Sequence, residues 1–126
     1  QTDDKMKAWL DWIESQRPKV NHYSIFDGSV YCGETFYSID SKHGNSASMD
    51  IKLFGFARGK GIAAKALSYA IEQSFENGAE KVWVDPNPNN EKALALYKRL
   101  GFVQKPRPEY LAEDENIASV YMEKQK

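Results

Sequence analysis

The sequence holds a single cysteine, Cys32, so an internal disulfide is excluded. No Cys/His pair stands at metal-ligand spacing around it, so no metal is expected, and such cysteine usage favours a reducing compartment, by default the cytoplasm. Net charge is lacking too. Lys and Arg number 17 against 18 Asp and Glu, a formal charge of -1 that gives no global field toward nucleic acid or an anionic membrane. No apolar run approaches the ~20 residues that span a bilayer, and the polar, acidic start Gln1 to Asp4 is unlike a signal peptide. Internal repeats and low-complexity tracts are absent. So is an initiator Met: the chain opens at Gln1, directly upstream of a helix pattern, and a longer protein trimmed or processed at its start is the expectation.

What is present is enough apolar material for one core. Of 126 residues 41% are hydrophobic, which fits a single domain over residues 1–126. Met6, Trp9, Leu10 and Ile13 recur at helical spacing from Asp3 to about Ser15, and Pro18 forbids continuation. Two β-rich runs follow, His22 to Phe26 and Val30 to Ile39, joined by the turn pair Asp27-Gly28. A polar loop, Asp40 to Ser46, leads to a third strand from Ala47 to about Phe54, so an antiparallel meander is expected.

From Gly61 the period changes. Ile62, Ala66, Leu67, Ala70, Ile71 and Phe75 follow a 3.6-residue repeat that stops at Asn77-Gly78. Lys81 to Val84 reads as a short strand, and Asp85 to Asn90 as a polar break rich in N-cap candidates. A second helix, Glu91 to Leu100, ends at Gly101, and strands near Phe102 to Gln104 and Ala118 to Glu123 close the sheet. The fold class is α/β in the α+β sense: a mixed, mostly antiparallel sheet flanked by helices.

The segment Arg58-Gly59-Lys60-Gly61-Ile62-Ala63 sits where a strand hands over to a helix. Glycines there let the chain turn tightly and aim several backbone N–H groups into one concavity at the positive end of the helix dipole. Arg58 and Lys60 add cations at the rim, so the loop suits a phosphate. A glycine turn with two solvated cations explains the same residues without a ligand. A Walker A loop is excluded because Lys60 is followed by Gly61 rather than Ser or Thr. A dinucleotide fingerprint fits Gly59 to Ala64, with Asp85 as the ribose acid, but the hairpins upstream and the lack of βαβ units argue against it.

A second segment separates these alternatives. Arg-x-x-Gly-x-Ala at Arg58, Gly61 and Ala63, followed by Asn-x-x-Ala-x-x-x-Tyr-x-x-x-Gly-Phe from Asn90 to Phe102, resembles the paired acyl-CoA signature of GNAT superfamily N-acetyltransferases. The resemblance covers the chain from Tyr23 onward. It departs from the family in two places: the first strand and first helix have no counterpart, and Gly55 stands where a small residue or proline is usual. A sheet lacking its first strand would carry an open edge, which invites a second copy to pair with it as a homodimer.

The resemblance implies acetyl-CoA as co-substrate, with pantetheine inserted between splayed strands and the Arg58 to Ala63 loop holding its pyrophosphate. It implies that the backbone at Leu53 meets the acetyl carbonyl, that Asn90 touches the cofactor arm, and that Tyr97 is the acid beside the sulfur. A developing oxyanion needs a donor of the Leu53 kind. The amine needs a base, for which Glu34 and Asp50 are the candidates, Asp50 ranking first because it resembles in position an acid of antibiotic-modifying members. Each residue has a plain alternative: Tyr97 as a core tyrosine, Asn90 as a helix N-cap, Glu34 and Asp50 as solvated strand carboxylates. His22 and His43 read as ordinary strand and loop residues, Cys32 as a buried filler, and Trp83 as a core or rim aromatic.

Direct acetyl transfer to a small-molecule amine without an acyl-enzyme is the expected reaction. Asp85-Pro86-x-Pro88-x-Asn90 resembles the matching segment of aminoglycoside 6'-acetyltransferases. Acetylation of protein N-termini or lysines, and a non-catalytic module binding acyl-CoA or a dinucleotide, stay open as alternatives.

Overall fold

A computed structural model describes residues 7–8, 20–111 and 119–126. Apart from residues 7–8, the helix expected over Asp3 to Ser15 lies outside the described residues. The first two strands, β1 (Val20–Asp27) and β2 (Val30–Asp40), form a hairpin. The third, β3 (Ser46–Leu53), completes an antiparallel meander. Then come α1 (Ile62–Glu76), β4 (Lys81–Val84), α2 (Glu91–Arg99), β5 (Val103–Gln104) and β6 (Met122–Gln125). The strands make one sheet ordered β1-β2-β3-β4-β6-β5, antiparallel throughout except between β3 and β4. No described helix is long and apolar enough to cross a membrane.

The hairpin turn falls one residue later than expected. Asp27 still pairs with Val30, and Gly28 supplies the positive φ of 63° that a two-residue connection requires. At the other end of the sheet β6 begins four residues past the expected Ala118, which itself lies outside the described residues. Its sequence Met-Glu-Lys-Gln conceals a strand because its inward position on one face is a carboxylate. Glu123 is buried, and Tyr121 Oη at 2.9 Å, Lys105 Nζ at 3.3 Å and Lys81 Nζ at 3.5 Å satisfy it. Burial pushes this carboxyl up, but the Tyr121 hydrogen bond, the Lys81 charge and the bonds from Gln125 and Lys105 outweigh it and hold it below 4.5.

Strand alternation sorts the sheet into two faces. Tyr37 and Ile39 of β2 and Ala47, Met49 and Ile51 of β3 meet Leu67, Ala70 and Ile71 of α1 in the core. Leu67 is wholly buried, which stabilises the fold by roughly 2 kcal/mol. The Tyr37 hydroxyl accepts from Asn21 Nδ2 at 2.6 Å and Asn77 Nδ2 at 2.7 Å, tying β1 to the end of α1. The opposite face of β2 and β3 carries Glu34, Phe36, Asp50 and Lys52.

Candidate active site

The site begins where two parallel strands separate. β3 pairs with β4 only through Ser46 to Ser48 against Lys81 to Trp83, while its pairing with β2 runs on to Leu53. Beyond β4 the chain turns away: Pro86 cannot donate to a ladder, and its carbonyl accepts from Val120 N at 2.9 Å. The β4-facing side of β3 from Met49 to Leu53 thus borders a cleft. Phe54 N–H donates to Cys32 O at 2.9 Å, so antiparallel alternation turns the N–H and C=O of Leu53 and Ile51 away from β2 and into that cleft. Ile51 N–H donates to the Asp50 carboxylate at 2.8 Å, and Arg58 Nη2 donates to Leu53 O at 3.3 Å.

A short 3-10 turn, Gly55–Ala57, carries the chain from Leu53 to the glycine loop at the cleft's mouth. Gly59 and Gly61 have φ of 76° and 78°, a conformation that side chains with a Cβ rarely adopt. A Cβ at either position would meet nothing within 4 Å, so the glycines are required by the backbone and leave the concavity open. Gly61 is the N-cap of α1 and brings no capping side chain, and no acid occupies the first turn. The N–H groups of Ile62, Ala63 and Ala64 have no acceptor within the helix and sit at its positive end. Arg58, Gly59 and Lys60 are exposed around them. An anionic group fits this cradle.

Tyr97 enters from α2. Asn90 starts that helix, its Oδ1 accepting from Ala93 N at 3.1 Å, so the capping role expected of it is present. The Tyr97 ring is buried and meets Phe102 edge-on at 5.3 Å between centroids. Burial first, then the carboxylates of Asp50 and Asp85, which disfavour a phenolate, together push the Tyr97 hydroxyl up to about 12. The phenol is therefore protonated at neutral pH, and Asp50, Asp85 and Tyr97 share one electrostatic environment. Asp85 as a neighbour of Tyr97 was not foreseen from the sequence. Its place at the end of the strand that parts from β3 is the signal that could have found it.

The two candidate bases are not equivalent. Asp50 lies in the field of Tyr97, whereas Glu34 stands one strand away among partners of its own. Tyr31 Oη and His22 Nε2 contact the two oxygens of its carboxylate, with Ser24 Oγ at 3.5 Å. His22 is thus a carboxylate partner rather than an ordinary strand residue. Trp83 stacks on Tyr121 at 5.9 Å between centroids.

Comparison with known proteins centres on this same stretch. Residues 53–102 match the Acetyltransferase (GNAT) family. N-alpha-acetyltransferase MAK3 of Arabidopsis thaliana is 44% identical over 50 residues, which cover 40% of this chain and 26% of that protein. N-alpha-acetyltransferase 30 of Schizosaccharomyces pombe is 30% identical over 83 residues, 65% of this chain and 53% of that protein. The chain therefore spans about a quarter to a half of the length of these curated relatives. The fold matches yncA, a putative acetyltransferase from Salmonella typhimurium solved with its cofactor acetyl-CoA. The TM-score is 0.80 and the identity 17%, over 99% of this chain and 74% of that one. It also matches spermidine N-acetyltransferase from Vibrio cholerae in complex with CoA and spermine. Here the TM-score is 0.79 and the identity 18%, over 99% and 76% of the two chains. The stretch that matches the GNAT family holds the end of β3 at Leu53, the glycine cradle, β4 and α2.

Proposed function

We propose that this chain transfers the acetyl group of acetyl-CoA directly to the primary amine of a small molecule. The observation that supports the reading is the parting of β3 from β4 ahead of the glycine cradle, with the buried phenol of Tyr97 in the field of Asp50 and Asp85 on the parting strands. Bound acetyl-CoA supplies an activated thioester. Ile62 to Ala64 receive its pyrophosphate on backbone N–H groups with Arg58 and Lys60 at the rim, Leu53 offers its N–H to the oxygen where charge develops, and Asn90 borders the cofactor arm while capping α2.

Asp50 takes a proton from the amine as the N–C bond forms and the C–S bond breaks, leaving the electron pair on sulfur. Tyr97 donates a hydrogen bond to that sulfur. A phenol at about 12 cannot hand its proton outright to a thiolate of cysteine-like pKa ~8.5, a step uphill by roughly 5 kcal/mol. The proton taken up by Asp50 closes the balance: a carboxylic acid is a stronger acid than a thiol, so as the phenol's proton passes to sulfur the proton on Asp50 returns to Tyr97. The products are the amide and the free thiol, with both side chains restored.

Relatives decide the acceptor poorly. The 44% identity to the MAK3 protein covers only 50 residues, and the family match ends at residue 102 and starts at 53, within the cofactor half. Turnover of acetyl-CoA against a panel of amines and N-terminal peptides tests the reading. Coenzyme A binding without transfer to any amine would sink it.

A further inference from the structure

Outside the cleft, four exposed aromatic rings run side by side among the described residues. Phe26 meets Tyr31 at a tilt with centroids 5.5 Å apart, Tyr31 meets Phe54 edge-on at 5.5 Å, and Phe54 stacks on Phe56 at 5.7 Å. Phe26 is 58% exposed, Phe54 50% and Phe56 57%, and a contiguous patch of this kind marks a binding surface more often than chance.

A β-bulge builds the run. Ile25 faces Gly33 while Phe26 faces Tyr31, so Cys32 is the extra residue of β2. Cys32 turns inward and is buried with Ile25 and Ala57. Gly33 has no alternative, since a Cβ there would lie 2.0 Å from Lys52 O on β3. The bulge reverses the alternation of side chains, so Tyr31 lies on the face of Glu34 instead of the opposite one. Its hydroxyl reaches the Glu34 carboxylate, and its ring joins Phe26 to Phe54.

This corner is continuous with the cleft, because Gly33 pairs with Leu53 and Glu34 with Lys52. The proposed reaction needs an amine there, and Glu34 is a half-buried acceptor-only carboxylate beside apolar rings. His22 already touches Glu34 and the Lys52 ammonium flanks it on β3, so a second ammonium on the same acceptor would be crowded and would meet a like charge. Beneath the rings Asp27 pairs with Val30 and Phe54 N donates to Cys32 O, so side chains form the surface of the patch.

We propose that the Cys32–Gly33 bulge forms the acceptor subsite, in which Glu34 holds the ammonium end of a small monoamine and the Phe26, Tyr31, Phe54 and Phe56 rings seat its bulky apolar arm. Glu34 is then a positioning and specificity residue rather than the base. This inference rests on the transferase reading above, and it disfavours polycationic acceptors such as aminoglycosides.

The test supplies acetyl-CoA with 2-phenylethylamine, spermidine, an aminoglycoside, or a peptide whose free N-terminus is phenylalanine. The phenylethylamine is expected to have a kcat/KM about tenfold or more above each of the others. Phe54→Ser and Phe26→Ser should each raise its KM about tenfold, with a smaller fall in kcat and an unchanged affinity for coenzyme A. Glu34→Gln should raise KM more than it lowers kcat, and a loss confined to kcat would make Glu34 the base. A preference for spermidine, the aminoglycoside or the peptide overturns the proposal, as does indifference to both serine variants. Should no amine be acetylated, the transferase reading fails. Equilibrium titration of the coenzyme A-saturated protein with 2-phenylethylamine then still decides the aromatic subsite, binding weakened by Phe54→Ser upholding it and no binding refuting it.

Discussion

On the proposed reading, the half of the molecule from Leu53 to Phe102 works through its backbone, and the β1–β2 corner works through its side chains. At the glycine cradle the groups on offer are main-chain N–H donors, set by two positive φ angles and a helix start. At the corner the groups that matter are rings and a carboxylate, brought together by one extra residue in β2. Backbone sites constrain residue type at fixed spacing, because only glycine adopts those angles freely. Side-chain sites depend on cross-strand neighbours, which sequence spacing does not encode.

The comparison breaks most visibly at Gly61. Gly61→Val forces a β-branched residue to φ 78° and sets a side chain in the concavity, so coenzyme A affinity should fall about 100-fold. Calorimetric titration reads it, and an affinity within threefold of wild type would mean the cradle does not hold the phosphate. Tyr97→Phe keeps the ring packed on Phe102 and removes only the hydroxyl. Turnover should drop about 100-fold while coenzyme A affinity stays within a few-fold, so an undiminished kcat would leave Tyr97 a core residue.

A smaller effect sharpens the role of Asn90. Asn90→Ala removes the bond to Ala93 N and should cost about 1 kcal/mol of stability in denaturant unfolding. If Asn90→Asp keeps the stability but weakens coenzyme A binding, the side chain serves the cofactor as well as the helix. Gly33 offers the matching break in the acceptor corner: Gly33→Ala places a methyl against Lys52 O and should destabilise by about 1–3 kcal/mol. The mildest prediction lies outside both regions. Glu123 is held below its usual value in the folded state, so the stability it contributes is present above about pH 4.5 and is lost as pH falls through its folded value. Melting temperatures measured across this range should fall less steeply for Glu123→Gln than for wild type.

Much of the fold was legible because its signals are local. The hairpin at Gly28, the repeat of α1, the Asn90 cap and the glycine stops at Gly78 and Gly101 all follow from single residues or short periods. The parting of β3 and β4 could be anticipated from Pro86 and Pro88. By contrast, β6 was shifted because Glu123 is a buried carboxylate whose partners come from β4, from Lys105 and from its own strand. The corner was missed for the same reason. His22, Tyr31 and Glu34 meet only through strand register, and a bulge reverses the alternation that a reader of the sequence would apply.

Hydrogen exchange of the amides of Leu53 and Ile62 to Ala64, with and without saturating coenzyme A, tests most directly whether one cleft joins the strand edge to the cradle. Slowed exchange at Leu53 and in the first turn of α1 together, with no such effect from NAD, is the predicted result. Unchanged exchange at both places, or protection by NAD in place of coenzyme A, would contradict it.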